Sequence, residues 1–329
     1  MIDVSYNPWL HRFAKLLTAS TFLLIFIGGL VTSTGSGLSV PDWPTTYGHF
    51  MFAFPFSKMV GGILYEHGHR MVASVVGLLT VVLAVWLWVS ESRRWVKWFG
   101  LGALTAVIAQ GVLGGLTVLF QLPTPISVLH GCLAQGFFMM TIAIAVFTSR
   151  RWCHRNELQR GEDMGQPKLQ TLALVTTFVI YLQLVIGAIM RHSGAGLAIP
   201  DFPLAFGKIF PPIESQAVAI HFLHRVGALI VSVAILWTSI QIYLHHRKQK
   251  KLVNLATTLL VALAVQISLA ALTIWTRKAV LPTTLHVATG AFILGSSLVL
   301  TLRTHLLLRV TPADARASYV AGKPSTHLT

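Results

Sequence analysis

The sequence predicts an all-α integral membrane protein, eight transmembrane helices arranged as two parallel-repeat four-helix bundles. Three observations carry that expectation. Of 329 residues, 54% are hydrophobic and only 11% charged, with a mean hydropathy of +0.69, whereas a soluble domain carries about 25% charged residues. Eight separate stretches are long and apolar enough to span a bilayer. The chain also repeats itself at a nearly constant offset.

The eight stretches fall at about 16–33, 68–89, 97–119, 127–149, 170–190, 217–243, 252–275 and 284–307, and a helical span needs about 20 mostly apolar residues. Strands of a membrane barrel are shorter and alternate in polarity. These segments do neither, which leaves helices. The net charge of +15 raises the question of nucleic acid, but its distribution answers it. Arg12 and Lys15 precede the first span, and Arg93, Arg94 and Lys97 separate the second and third. Arg150, Arg151, Arg155, Arg160 and Lys168 fill the central connection; Arg247, Lys248, Lys250 and Lys251 separate the sixth and seventh spans. Arg303, Arg309, Arg316 and Lys323 close the chain. Alternate connections are poor in Lys and Arg, Arg277 and Lys278 excepted. That is the positive-inside pattern; it excludes nucleic acid as partner and places both termini in the cytoplasm. No cleavable signal peptide or Arg-rich transit peptide is expected, which favours a bacterial inner membrane. Cys132, in the fourth span, and Cys153, in the following connection, are expected to stay unpaired.

The repeat organises the rest. GSGLSVPDWPTTYG, Gly35 to Gly48, answers GAGLAIPDFPLAFG, Gly194 to Gly207, at an offset of 159. EHGHR, Glu66 to Arg70, answers HFLHR, His221 to Arg225, at 155. Gln110 then answers Gln266, Thr117 answers Thr273 and His130 answers His286, all at 156. Four spans per half make the repeats parallel. The expected division is residues 1–150 as the N-terminal half, 151–169 as a cytoplasmic linker and 170–329 as the C-terminal half.

His69, His130, His224 and His286 all fall near the start of even-numbered spans, so all four lie one or two turns below the outer face. An imidazole inside a span is costly and faces the bundle interior. Two imidazoles on facing helices can ligate a porphyrin iron from both sides, and four-helix bundles are natural holders. Zinc would want four ligands and copper more often Met or Cys. The repeat therefore gives two heme sites, His69 with His130 and His224 with His286. Arg70 and Arg225 follow the first histidine of each pair and suit heme propionates, since Arg pairs bidentately with carboxylates. The halves differ at Glu66, three residues before His69, where the second half has His221. A carboxylate there can pair with Arg70 or act as an acid or base beside a reactive group. The PDWP and PDFP segments are stiff external loops, with Asp42 and Asp201 placed to cap turns.

LVTSTGSGLSVPDWP, the E-x-x-H-R run at Glu66 to Arg70, His130 and the repeated set in the second half together resemble the heme A synthase family over nearly the whole chain. The resemblance implies oxidation of a ring methyl of heme O to a formyl group, giving heme A for terminal oxidase assembly. It implies His224 and His286 as ligands of a resident heme b, with Arg225 beside them. It implies His69 and His130 as ligands of the heme O substrate, with Arg70 beside them, and Glu66 as the catalytic carboxylate acting on water. Heme O, heme O synthase as its donor, and an electron acceptor that the sequence does not name are the implied partners, and a homo-oligomer is compatible with it. Many members carry a cysteine pair in the first external loop. Residues 34–65 here hold none, which matches the subclass without it. Two other classes use paired histidines: a two-heme b electron-transfer protein, which has no need of the Glu66 asymmetry, and a heme transporter or chaperone.

Overall fold

The computed structural model describes residues 6–309; Arg316, Lys323 and His327 lie outside the described residues. Among the described residues nine α-helices follow in order: α1 (Pro8–Ser33), α2 (Gly62–Ser90), α3 (Arg94–Leu119), α4 (Thr124–Phe147), the short α5 (Arg150–Cys153), α6 (Leu169–His192), α7 (Gln216–His245), α8 (Lys250–Trp275) and α9 (Val280–Leu307). All but α5 are long and apolar enough to cross a bilayer. The molecule is an all-α integral membrane protein, and every expected span has its helix.

The largest shift from expectation is in α1. It begins at Pro8, well before residue 16, because the Asn7 side chain accepts the N–H groups of Trp9 and Leu10 at 3.0 and 3.1 Å and Pro8 takes the first turn, where its missing N–H costs nothing. Arg12 and Lys15 therefore ride the first turns of α1 instead of preceding it. The Arg12 guanidinium lies over the Trp9 ring, 4.9 Å from its centroid. Such an amphipathic pair suits the headgroup level.

In the first half α1 packs on α2, α2 on α3, α3 on α4 and α4 back on α1; α6, α7, α8 and α9 close the same ring in the second half. The halves meet where α1 and α4 pack against α9 and α4 packs against α6. Each half has its own apolar core. One is built on Leu10, Ala14, Leu17, Leu83, Leu87, Val96 and Ile144. The other is built on Leu169, Ala173, Ile235, Ile242, Leu252 and Leu259. Phe138, Ile142 and Ala291 form a smaller cluster between the halves. The residues named in both main cores sit toward the helix ends remote from the four histidines.

The central connection is more than a tether. Its Gly161–Glu162 strand, β1, pairs in parallel with β2 (Leu308–Arg309) beyond α9. The buried Asp163 carboxylate accepts the N–H groups of Leu169 and Gln170 at 3.0 and 3.1 Å, satisfying the start of α6. Cys132 and Cys153 are both free thiols.

Candidate functional site

Each of the four histidines lies six to eight residues inside its helix, about two turns deep. His69 and His130 lie within electrostatic reach of one another, and so do His224 and His286, so the expected pairs do come together. Each of the four residues is half-buried at that depth.

Close backbone approach makes room for the rings. A β-carbon at Gly28 of α1 would sit 3.2 Å from His69 Nε2, and one at Gly187 of α6 would sit 3.0 Å from His224 Cε1. These two glycines are themselves repeat equivalents, at the offset of 159. Gly114 does the same for His130, at 3.1 Å from Cε1. The amide nitrogen of Gln110 donates to the His130 carbonyl at 2.9 Å and lies 3.4 Å from its Nε2. Gln266 lies 3.4 Å from His286 Nε2 in the same way. The buried Nδ1 atoms of His130 and His286 and the Oε1 atoms of Gln110 and Gln266 have no protein partner. Buried polar atoms are rarely left so, and their recurrence at repeat-equivalent positions marks two polar chambers built to one plan. Among the described residues no cluster of three or more His, Cys, Asp or Glu could hold a bare metal ion. Paired imidazoles on facing helices fit a porphyrin iron, the chemistry those donors suit.

At the histidine end of each half lies a loop folded the same way in both. Asp42 accepts the N–H groups of Tyr47 and Gly48, and Asp201 those of Phe206 and Gly207. Burial alone would raise the Asp42 carboxyl, but the Gly48 N–H, the Thr45 hydroxyl and the Tyr47 N–H outweigh it and hold it at about 2. Both aspartates thus cap turns, as their sequence context suggested.

Arg70 and Arg225 fasten these loops. Arg70 donates to the carbonyls of Asp42, Thr45 and Val40 at 2.7–3.0 Å and to Glu66 Oε1 at 2.7 Å. Arg225 donates to the carbonyls of Leu204, Asp201 and Ile199. The guanidinium forks expected to face propionates are committed to backbone carbonyls. Such acceptors have no residue signature, so sequence reasoning had no means of finding them.

Glu66 is buried, 4% exposed. Its Oε2 accepts the Val40 N–H at 2.8 Å and its Oε1 takes Arg70. In the second half the Nδ1 of His221 accepts the Ile199 N–H at 3.2 Å, and Ile199 is the repeat equivalent of Val40. One position thus latches the loop in both halves, with a carboxylate in the first and an imidazole in the second. A second asymmetry lies beside it. His67 is buried, its Nδ1 3.0 Å from the Thr46 hydroxyl, where the second half has Phe222 and Ala205. A third runs the other way: Gln183 bonds His224 at its Nδ1 and its carbonyl, at 3.1 and 2.8 Å, where the first half has Leu24. Gln183 and the two glycines were legible in principle, as a lone amide in an apolar span and as glycines at the repeat offset.

Comparison with known proteins supplies the context for this geometry. The COX15-CtaA model, described as cytochrome oxidase assembly protein, matches residues 11–298. A heme A synthase of Symbiobacterium thermophilum is 33% identical over 236 residues, covering 68% of this chain and 72% of the relative. One from Alkalihalophilus pseudofirmus is 30% identical over 72% of this chain and 80% of its own length, and one from Listeria welshimeri is 26% identical over 81% and 87%. The matched span runs from the first turns of α1 into α9 and takes in both histidine pairs and both loops. The chain belongs to the COX15-CtaA family.

Proposed function

We propose that this chain is a heme A synthase, an oxidoreductase that converts a ring methyl of heme O into a formyl group. The observation that carries this reading is the similarity to curated heme A synthases over 68% and 72% of the chain, within a family match over residues 11–298 that holds both histidine pairs. The overall conversion consumes one water per methyl and releases four protons and four electrons, so the site must accept protons and pass electrons on.

The halves divide this work. The N-terminal half, residues 1–150, takes the substrate between His69 and His130; the C-terminal half, residues 170–329, holds heme b between His224 and His286. The orphaned imidazole and amide atoms and the glycine-made clearances support both placements. A heme b bound there supplies a one-electron carrier. Glu66 is the base in the first half. Each of its oxygens already holds one donor, and a carboxylate oxygen has a second acceptor position, so it can take the proton of an attacking water. Arg70 and Arg225 hold the loops over the chambers and so limit water entry. His221 cannot stand in for Glu66, because its Nδ1 is occupied by the Ile199 N–H. This asymmetry favours an enzyme over a symmetric two-heme b electron carrier.

The basic connections support an orientation with both termini in the cytoplasm of a bacterial inner membrane and both chambers near the outer face. Heme O synthase is the natural donor of the substrate.

The test is pigment extraction after expression with a source of heme O. The wild-type chain should yield heme A. Glu66→Gln should lower heme A at least tenfold while heme b stays bound, a loss in the range of general acid–base catalysis, about 10²–10⁴. Unchanged heme A in that variant would remove Glu66 from the chemistry.

A further inference from the structure

Arg191 lies in the last turn of α6, at the junction of the two halves. Its Nη2 donates to the Gly29 carbonyl and the Ser33 hydroxyl of α1, both at 3.1 Å. No carboxylate among the described residues pairs with it, since the ion pairs there involve Arg70, Arg93 and His246. Its Nη1 and Nε donate to no protein acceptor, in contrast with Arg70 and Arg225, whose forks are taken by loop carbonyls. A cation held within a bundle without a counter-charge is expensive, and such residues mark ligand sites. The repeat equivalent of Arg191 is Thr32, so the charge belongs to one half only.

Its surroundings point to the ligand. Arg191 acts electrostatically on His286, whose Nδ1 is an orphan. Thr284, two residues before His286, packs against the same Gly29 whose carbonyl Arg191 takes, and its buried hydroxyl also lacks a partner. Arg191 is one residue from the end of α6, whereas His286 is six residues into α9. The guanidinium is therefore nearer the outer face than the imidazole. A free planar fork, an orphan hydroxyl and an orphan imidazole nitrogen, ranged outward from an iron-ligand candidate, match a carboxylate carried on the rim of a macrocycle.

We propose that Arg191 binds a propionate of the tetrapyrrole held by His224 and His286, and so makes that site selective for a porphyrin with free carboxylates. The proposal deepens the heme b assignment and rests on it. The test is a spectroscopic titration of the purified full chain, carrying His69→Ala so that the C-terminal site is read alone. The probes are hemin and hemin dimethyl ester, whose propionates are blocked.

The parent should bind hemin about ten- to a hundredfold more tightly than the ester, as expected for a bidentate charge-assisted contact. Arg191→Gln should lose that preference by weakening hemin alone, and Arg191→Lys should keep part of it. Equal affinity of the parent for both probes overturns the proposal without any substitution at Arg191. Preference retained in Arg191→Gln assigns the carboxylate to another group and overturns it as well. Equal weakening of both probes makes Arg191 a packing residue between halves, which also contradicts it. A parent that binds neither probe contradicts the heme b assignment itself, and the proposal with it.

Discussion

At the scale of single residues, the Glu66 and His221 pair shows how one position carries a structural task and a chemical difference together. Both side chains receive the N–H of the same loop residue, Val40 or Ile199. The shared task explains why a polar group is kept in each half, and the difference in kind is what the proposed acid–base role of Glu66 rests on. Asp42 makes a separate prediction. Its carboxyl is held at about 2 against an ordinary 3.8. A depressed acid stabilises the fold above its unfolded pKa and ceases to do so as pH falls through the folded value. The first loop should therefore keep its full protection above about pH 4 and lose it progressively toward pH 2. Hydrogen exchange at Tyr47 and Gly48, corrected for intrinsic rate, reads this directly. Asp42→Asn should show weakened protection already at neutral pH and no further acid step. Protection that stays level from pH 4 to pH 2 in the wild-type chain would refute the assignment.

The residue scale is also where sequence reading and structure part company. Histidines, glutamines and aspartates announce themselves because their polar groups are in the side chain, and the repeat offsets marked their equivalents in the two halves. Arg70 and Arg225 were paired on paper with propionates because charge suggests charge. Beyond the Glu66 carboxylate that Arg70 also takes, their partners are backbone carbonyls of the loops, which every residue has and no residue advertises. Arg191 went unread for the opposite reason: a basic residue at a span end looks like an interfacial anchor until its neighbours across the bundle are known.

At the scale of elements, the helices set the clearances. α1 meets α2 at Gly28, and α6 meets α7 at Gly187, so closely that the rings of His69 and His224 occupy the space of an absent side chain. A β-branched residue at either glycine would displace the ring. Gly187→Val should strip most heme b from the purified chain. Gly28→Val should leave heme b in place and abolish heme A formation. Retention of heme b in Gly187→Val, with normal heme A in Gly28→Val, would show that these close approaches are packing features only. Helix existence was fully legible from hydropathy, because a span advertises its length. The start of α1 was not, since it is set by the Asn7 cap and by Pro8 at the first helical position, outside any apolar window. The parallel pairing of Gly161–Glu162 with Leu308–Arg309 was equally hidden, being two residues long and far apart in the chain.

At the scale of the whole molecule, two rings of four helices share a seam of α1, α4, α6 and α9. Few polar contacts cross it: Tyr181 donates to the Cys132 carbonyl, Thr124 to the His192 carbonyl, and Arg191 to α1. The last two lie at the histidine end. Each half secures itself with an apolar core at the opposite end, leaving the histidine end for a ligand. This arrangement lets the halves share a plan while differing in side chains, and the proposed function assigns reaction to one and a resident heme to the other.

That division of labour is the central claim, and comparing the hemes bound by His69→Ala and His224→Ala tests it most directly. Extraction and quantification from the two purified variants, expressed with a source of heme O, should find heme b retained and heme A absent in His69→Ala, and heme b largely lost in His224→Ala. Heme b lost from His69→Ala and kept in His224→Ala would contradict the account and reverse the roles of the halves.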